Sequence, residues 1–252
     1  MKKLLIAVGV LIVLGGLAVV LLASNLDRIV KAAIERVGSD TMKSPVTVNS
    51  VNLSLRSGTG TIRELQVRNP EGFPPQPALR LGELVLAIDP ASVQADKLVV
   101  RTISVTDGEL FLTGGVDDNN LKKLMANLRS SSGGTDPQAP STTESSRKLQ
   151  VDELTLTDLK LNVQMDLPVV GVFSTTAKMP EIKLAGLGQG PEGVTGTELG
   201  KLVMKRVVDE VSPMVVQMIR QKTGQSLGTD GKKALQSLEK AAQGVGDLFK
   251  KK

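Results

Sequence analysis

The chain has 252 residues, a net charge of +5, and no His, Cys, Trp or Tyr. The absence of Cys excludes disulfides, thiol nucleophiles and Cys-ligated metal sites, and the absence of His removes the commonest zinc ligand and neutral-pH proton carrier. Aromatic residues make up only 2% of the chain, which leaves little surface for stacking nucleic-acid bases. We therefore expect a binding or structural protein rather than an enzyme, with no cofactor, no metal and no nucleic-acid partner.

The positive charge lies at the two ends of the chain. Lys2 and Lys3 precede a long apolar run, and Thr229–Lys252 carries six Lys against three acidic residues. The body between these ends is neutral, whereas a nucleic-acid-binding domain usually carries its basic patch on the folded body. The basic C-terminal segment has two interpretations that stay open, binding to an anionic membrane surface or a solvated tail.

The first predicted element is a membrane anchor in residues 1–24. Leu4–Ala23 contains 20 residues without a charged or polar side chain, and a helix of that length spans about 30 Å, the thickness of a hydrocarbon core. A cleaved signal peptide is the alternative, but its apolar region is usually about 7–15 residues long and ends in a small-x-small site, where this chain has Leu21. Lys2 and Lys3 place the N-terminus in the cytoplasm. We expect a single-pass protein of a bacterial inner membrane with its C-terminal domain in the periplasm.

The next segment, residues 25–129, reads as a helix followed by strands and a short helix. Apolar residues at helical spacing predict a helix that ends at Gly38. Alternating apolar residues then predict strands at 46–55, 62–67, 79–88, 98–105 and 110–112, and the alternation changes phase near Asn49–Ser50 and Gly82–Glu83, which indicates β-bulges. Asn119 or Asn120 caps the short helix.

Residues 130–148 read as a flexible linker, because Ser130–Ser146 holds a single apolar residue among Ser, Thr, Gly and Pro. Residues 149–187 carry a second strand group of the same sheet, whose last part, Phe173–Leu184, is one strand or two short ones. Residues 195–252 form C-terminal amphipathic helices, the first opened by a Thr195–Glu198 capping box. The predicted fold is α+β, a curved and mainly antiparallel sheet, shaped as a groove or half-barrel and built as a meander, with flanking helices.

One face of this sheet is aliphatic and carries the candidate functional site. A dry core covered by helices is one interpretation, and a groove for lipid acyl chains is the other, because the face lacks aromatic and polar groups and the chain is held at a membrane. The candidate lining residues are Val51, Leu53, Leu55, Leu84, Leu86, Ile88, Leu154, Leu156, Leu159, Leu161 and Val163.

The run GTGTIRELQVRNPEGFPPQPALRLGELVLAIDPASV (Gly58–Val93) resembles the start of AsmA-like proteins of bacterial envelopes. In that family a strand ends in Asn-Pro-x-Gly-Phe, and a strand with an acidic end, here Asp89, follows. MPEIKLAGLGQGPEGVTGTELG (Met179–Gly200) resembles the end of short members. The resemblance implies that five motif residues shape the strands and are not catalytic: Gly60, Asn69, Pro70, Gly72 and Phe73. Plant-type desiccation domains, which also carry strand–Asn–Pro patterns, are the alternative fold.

The resemblance also implies a relative of the bridge-like lipid-transfer superfamily, which serves outer-membrane lipid homeostasis through an apolar groove. We expect the chain to bind or pass phospholipid along its aliphatic face. About nine strands at ~4.8 Å spacing would make a groove of roughly 43 Å, too short to bridge an envelope alone. The alternative function is an anchored envelope assembly factor or scaffold with a closed sheet, which binds a protein partner through its C-terminal helices and no lipid.

Overall fold

The structure is a computed structural model that describes residues 26–54, 56–115, 118–130, 148–167 and 171–223. In this part of the chain eight strands form one mixed, open sheet, and three helices pack against it. The α+β class expected from the sequence is confirmed. None of the described helices is long and apolar enough to cross a membrane, and the predicted span Leu4–Ala23 lies outside the described residues.

Helix α1 covers residues 26–42. The later elements are β1 (Val46–Ser54), β2 (Thr59–Arg68), β3 (Pro77–Ile88), a short 3-10 helix (Pro90–Gln94), β4 (Lys97–Gly114), α2 (Asn120–Ser130), β5 (Lys148–Leu156), β6 (Leu159–Leu167), β7 (Gly171–Lys178), β8 (Ile182–Leu187) and α3 (Gly196–Thr223). Three parts of the expected chain organisation lie outside the described residues. They are most of the linker (131–147), residues 224–252 of the C-terminal segment, and Leu55.

The strand order corrects the predicted meander. Strands β1 to β4 pair antiparallel in sequence order, but β5 and β6 both run parallel to β4. Parallel neighbours need a long crossover to return the chain to the starting end of the sheet. The segment between Gly114 and Lys148, which contains α2, has that length. The sequence pattern cannot show this reversal, because alternation is the same in parallel and antiparallel strands.

Eight strands occupy only six positions across the sheet. Strands β5 and β6 lie end to end along β4, since Val105 pairs with Leu156 and Gly108 pairs with Leu159 in one unbroken register. Strands β8 and β7 likewise lie end to end along β5 and β6. The sheet is therefore narrower than the nine strands expected from the sequence.

One residue in each of the six strand positions interrupts the regular pairing, and these residues lie side by side across the sheet in what we call the crease. Between the first four strands the pair at the crease is missing from the ladder, and the end-to-end strands meet there. Three crease residues have a backbone in the left-handed region, with φ of 52° at Glu64, 56° at Asp107 and 53° at Asp158. The crease consists of Asn49, Glu64, Gly82, Asp107, Asp158 and Pro180.

The crease explains the phase changes in the sequence and shows that the predicted bulges are wrong. A bulge adds a residue to one strand of a pair and shifts the register, but the register is unbroken at Asn49–Ser50 and at Gly82–Glu83. Instead every strand has its extra residue at the same level. The expected strands at 98–105 and 110–112 are accordingly the two halves of one strand, β4.

Helix α1 runs past its predicted end at Gly38 to residue 42. A Cβ atom placed on Gly38 would lie 3.1 Å from the side chain of Val46 at the start of β1. The glycine therefore serves close packing of α1 on the sheet instead of ending the helix, which is a tertiary role that helix-stop rules do not detect.

Candidate lipid groove on the inner face of the sheet

The inner face of the sheet is built from rows of aliphatic side chains that run across the strands. Directly paired residues on one face lie about 4.5–5.5 Å apart, so each row is a continuous band of contact. The row next to the crease is Val51, Ile62, Leu84, Val105, Leu156 and Ile182, and the next row is Leu53, Gly60, Leu86, Ile103, Leu154 and Leu184. Both rows lie in the half of the sheet that contains Ser54 and Lys97, which we call the lower half.

The structure describes ten of the eleven predicted lining residues, all but Leu55, and these ten fall into two groups. Six are buried in the core: Val51, Leu154, Leu156, Leu159, Leu161 and Val163. Leu161 is 0% exposed, and it shares its apolar cluster with Val211 and Val215 of α3. These six residues do not line an accessible groove, because helices cover the face above them. For these six residues the structure favours the dry core, one of the two interpretations that the sequence left open, over the groove.

The other predicted residues remain half-buried. They are Leu53, Leu84, Leu86 and Ile88, and the sequence analysis missed two half-buried neighbours, Ile103 and Leu184. The six together form what we call the lower strip. Leu53 on β1 and Leu86 on β3 flank Gly60, which lies on β2 between them. A Cβ atom added to Gly60 would lie 2.5 Å and 2.7 Å from methyl carbons of these two leucines. Gly60 thus lets two leucines close the band where a larger side chain would separate them.

Helix α1 forms the wall of the strip at strand β1. Val30 and Ile34 pack against the cluster of Val48, Val51 and Ile62, together with Leu53 and Leu86. This packing covers part of the inner face at β1 and leaves the strip half-buried beside it.

The same helix closes the hydrogen-bonding edge of β1. An edge strand presents unpaired N–H and C=O groups that invite pairing with another chain. Side chains spaced four residues apart on α1 bond to this edge: Val46 N donates to Ser39 Oγ (2.9 Å), Val48 N to Glu35 Oε1 (2.9 Å) and Leu53 N to Asp27 Oδ1 (2.8 Å), while Lys31 Nζ donates to the Asn49 carbonyl (3.0 Å). We call this set the edge zipper.

The edge zipper places the N-terminus of α1 at the lower strip. Asp27 bonds to Leu53, which is the β1 member of the strip, and Ser39 bonds to Val46 at the other end of the strand. Helix α1 therefore begins beside the β1 end of the strip.

Helix α3 contacts strand β8, which carries Leu184 of the strip. Its start is held by the predicted capping box, in which Glu198 N donates to Thr195 Oγ1 (3.1 Å) and Thr195 N donates to Glu198 Oε2 (2.6 Å). Hydrogen bonding of the carboxylate by the Thr195 backbone N–H, and secondly by the Thr195 side chain, holds the pKa of Glu198 below its ordinary value. Leu199, Val203 and Val207 are half-buried against the large cluster, so the first turns of α3 rest on the sheet.

The Asn-Pro-x-Gly-Phe residues lie away from the strip, on the other side of the crease, in the loop that follows the end of β2. Asn69 Nδ2 donates to the Pro74 carbonyl (3.0 Å), and Asn69 Oδ1 accepts from Asn120 Nδ2 (2.7 Å). Gly72 adopts a φ of 95°, and the Phe73 N–H donates to the Pro70 carbonyl (3.3 Å). The contacts of this loop are structural.

Asn120 completes this network from the first turn of α2. It is 0% exposed, its Nδ2 also donates to the Phe111 carbonyl (2.6 Å), and its Oδ1 accepts from Thr113 N (3.0 Å). Asn119, one residue earlier, supplies the helix cap by accepting from Lys122 N (3.0 Å). The sequence pattern predicted Asn119 or Asn120 as the cap and did not distinguish the buried role of Asn120.

The outer face of the sheet carries a polar depression of about 660 Å³ at the crease. Two ion pairs lie at its rim, Arg63–Glu83 and Arg80–Glu109, each at 3.0 Å. All four side chains are partly exposed, and such surface pairs contribute about 0–1 kcal/mol. Within the described ranges no group of three acidic residues is arranged to hold a metal ion. The inner face is therefore the stronger candidate site.

Comparison of the chain with protein-family models, with curated proteins and with solved structures finds no significant match.

Proposed function

We propose that the chain is a periplasmic protein anchored in the bacterial inner membrane, which binds or passes phospholipid acyl chains along the lower strip in outer-membrane lipid homeostasis. One observation carries the proposal: the half-buried aliphatic side chains of the lower strip lie on β1, β3, β4 and β8, and the β1 end of the strip lies beside Asp27, four residues after the predicted span Leu4–Ala23. The AsmA-like resemblance of Gly58–Val93 supports the same function.

The dimensions of the strip favour one lipid rather than a long conduit. Six strand positions give five spacings of ~4.8 Å, so the strip is about 24 Å long, which exceeds one leaflet of about 15 Å, half of a 30 Å hydrocarbon core. This length of about 24 Å replaces the groove length of roughly 43 Å that was expected from nine strands. We propose that the chain takes a phospholipid from the membrane and hands it to a partner, and that the strip is a groove whose walls are α1 and α3.

Site-specific photo-crosslinking in the full chain tests this function. A diazirine amino acid replaces Leu86 or Ile103 of the lower strip, and the matched control replaces Val85 or Ser104, which occupy the next positions on the same strands and face outward. After irradiation of bacteria, mass spectrometry of the purified chain is expected to find phospholipid adducts at Leu86 and Ile103 and at least tenfold fewer at the controls. Equal adduct yields at the four positions would overturn the proposal.

A second candidate function is supported by the burial of Leu159, Leu161 and Val163 under the helices. A sheet whose inner face is covered in this way suits an anchored assembly factor whose helices contact a protein partner. A further diazirine variant at Leu202, exposed on α3, separates the two functions in the same experiment. An assembly factor is expected to give protein adducts at Leu202 and no phospholipid adducts at Leu86.

A further inference from the structure

Helix α1 has a third face that neither the core nor the edge zipper uses. Ile29, Ala33 and Val37 repeat every four residues on the side turned away from the sheet. Ile29 is 52% exposed and Val37 is 47% exposed. The other large exposed apolar side chains of the described residues, Val85, Val172 and Leu202, each lie on a different element.

Single exposed apolar residues are normal on protein surfaces, but this face combines two further features. Arg28 and Arg36 are exposed on its flank, and an apolar stripe flanked by cations is typical of helices that lie in a membrane interface. The face also starts close to the predicted anchor. Ile29 follows Ala23 by six positions, and a chain of that length reaches at most about 21 Å even when fully extended.

We infer that the outward face of α1, made of Ile29, Ala33 and Val37 with Arg28 and Arg36, rests on the surface of the membrane that holds the anchor. The apolar side chains enter the boundary between headgroups and acyl chains, and the two guanidinium groups bind lipid phosphates. The edge zipper and Val30 lie on the other sides of the helix, so α1 can contact the membrane and the sheet at the same time.

This contact would set the orientation of the whole sheet. With α1 on the membrane, strand β1 becomes the strand nearest to the lipid, and the β1 end of the lower strip faces the bilayer. The inference rests on the anchor of the proposed function but not on lipid binding in the strip. If lipid does not bind in the strip, the membrane contact of α1 can still be correct, and the reverse also holds.

Depth-dependent fluorescence quenching tests the contact. The chain has no Cys, so a single introduced Cys carries the only fluorophore. The variants Ile29→Cys and Val37→Cys are compared with Val85→Cys and Val172→Cys, which are exposed apolar positions elsewhere. The full chain is placed in vesicles of phosphatidylethanolamine and phosphatidylglycerol that contain lipids with a quencher on the acyl chain.

The expected result is at least threefold stronger quenching at positions 29 and 37 than at positions 85 and 172. Equal quenching at the four positions would overturn the inference. A second copy of this chain is the other occupant that such a face can take. Energy transfer between labelled copies at position 37, without quenching by the lipid, would overturn the inference in favour of that dimer.

Discussion

Single residues in this molecule decide how its parts are joined, and Asn120 is the strongest example. Its side chain makes three hydrogen bonds that link the Asn69 loop, strand β4 and helix α2. A buried polar group that loses its partner costs about 1–3 kcal/mol. The same residue type at Asn119, in a half-buried position, makes a single cap bond.

We expect Asn120→Ala to lower the free energy of unfolding by about 3 kcal/mol, because it leaves an N–H, a carbonyl and the Asn69 side chain without their partner. The matched control Asn119→Ala removes one cap and should cost about 1 kcal/mol. Denaturant unfolding of the full chain in detergent, followed by circular dichroism, measures both values. Equal costs for the two variants would contradict this prediction, because the buried network would then stabilise the fold no more than the single cap does.

At the scale of single elements, the ends and edges of helices and strands are held by side chains. The edge zipper serves β1 in place of a neighbouring strand, and the capping box serves the first turn of α3. Both devices use carboxylates that accept backbone N–H groups. Such bonds are charge-assisted and therefore stronger than neutral ones.

The edge zipper predicts a measurable protection of strand β1. In the double variant Asp27→Ala/Glu35→Ala, the amides of Val48 and Leu53 lose their acceptors, and we expect hydrogen exchange in a peptide covering Val46–Ser54 to become about tenfold faster, as the loss of a hydrogen bond to a charged group implies. Arg36→Ala on the outward face is the control and should leave exchange unchanged. If exchange in the double variant matches the parent, α1 does not protect the edge.

The capping box predicts a dependence of stability on pH. Because hydrogen bonds lower the pKa of Glu198 in the folded state, its carboxylate stabilises α3 above its ordinary pKa of 4.5, and this stabilisation is lost as the pH falls through the folded pKa. At pH 7 we expect Glu198→Gln to cost about 0.5 kcal/mol, the small effect of an exposed cap, and at pH 3 much less.

The charge-matched control for this prediction is Glu192→Gln, an exposed carboxylate before the helix. It removes one negative charge from the same region without touching the cap. Unfolding free energies of the three proteins at pH 7 and pH 3 give the comparison. A difference between the parent and Glu198→Gln that is the same at both values would contradict the assigned role of Glu198.

At the scale of the whole molecule, local patterns in the sequence predicted the elements better than their arrangement. Alternation located most strands, and the Thr195–Glu198 spacing located the start of α3, because these signals depend on neighbouring residues. The parallel pairing of β5 with β4 and the single run of β4 through Asp107 depend on partners far away in sequence. Alternation carries no information about either.

The candidate site shows the same division. The sequence identified which side chains face inward, as for Leu86 and Leu161, because inward residues alternate along a strand. It did not show that Leu161 is covered and Leu86 is half-exposed, since coverage depends on where α1 and α3 dock. The Asn69–Asn120 contact was equally out of reach, because it joins residues 51 positions apart.

The crease makes the length of each strand a property that all six strand positions share. Deletion of Asp107 alone would turn half of β4 over, so that its aliphatic side chains would face water while its neighbours kept theirs inside. The same holds for an insertion at Gly82 or Asp158. We therefore expect insertions and deletions to be tolerated better in the loops of this protein than at the crease, where a change in length would have to occur in all six positions together.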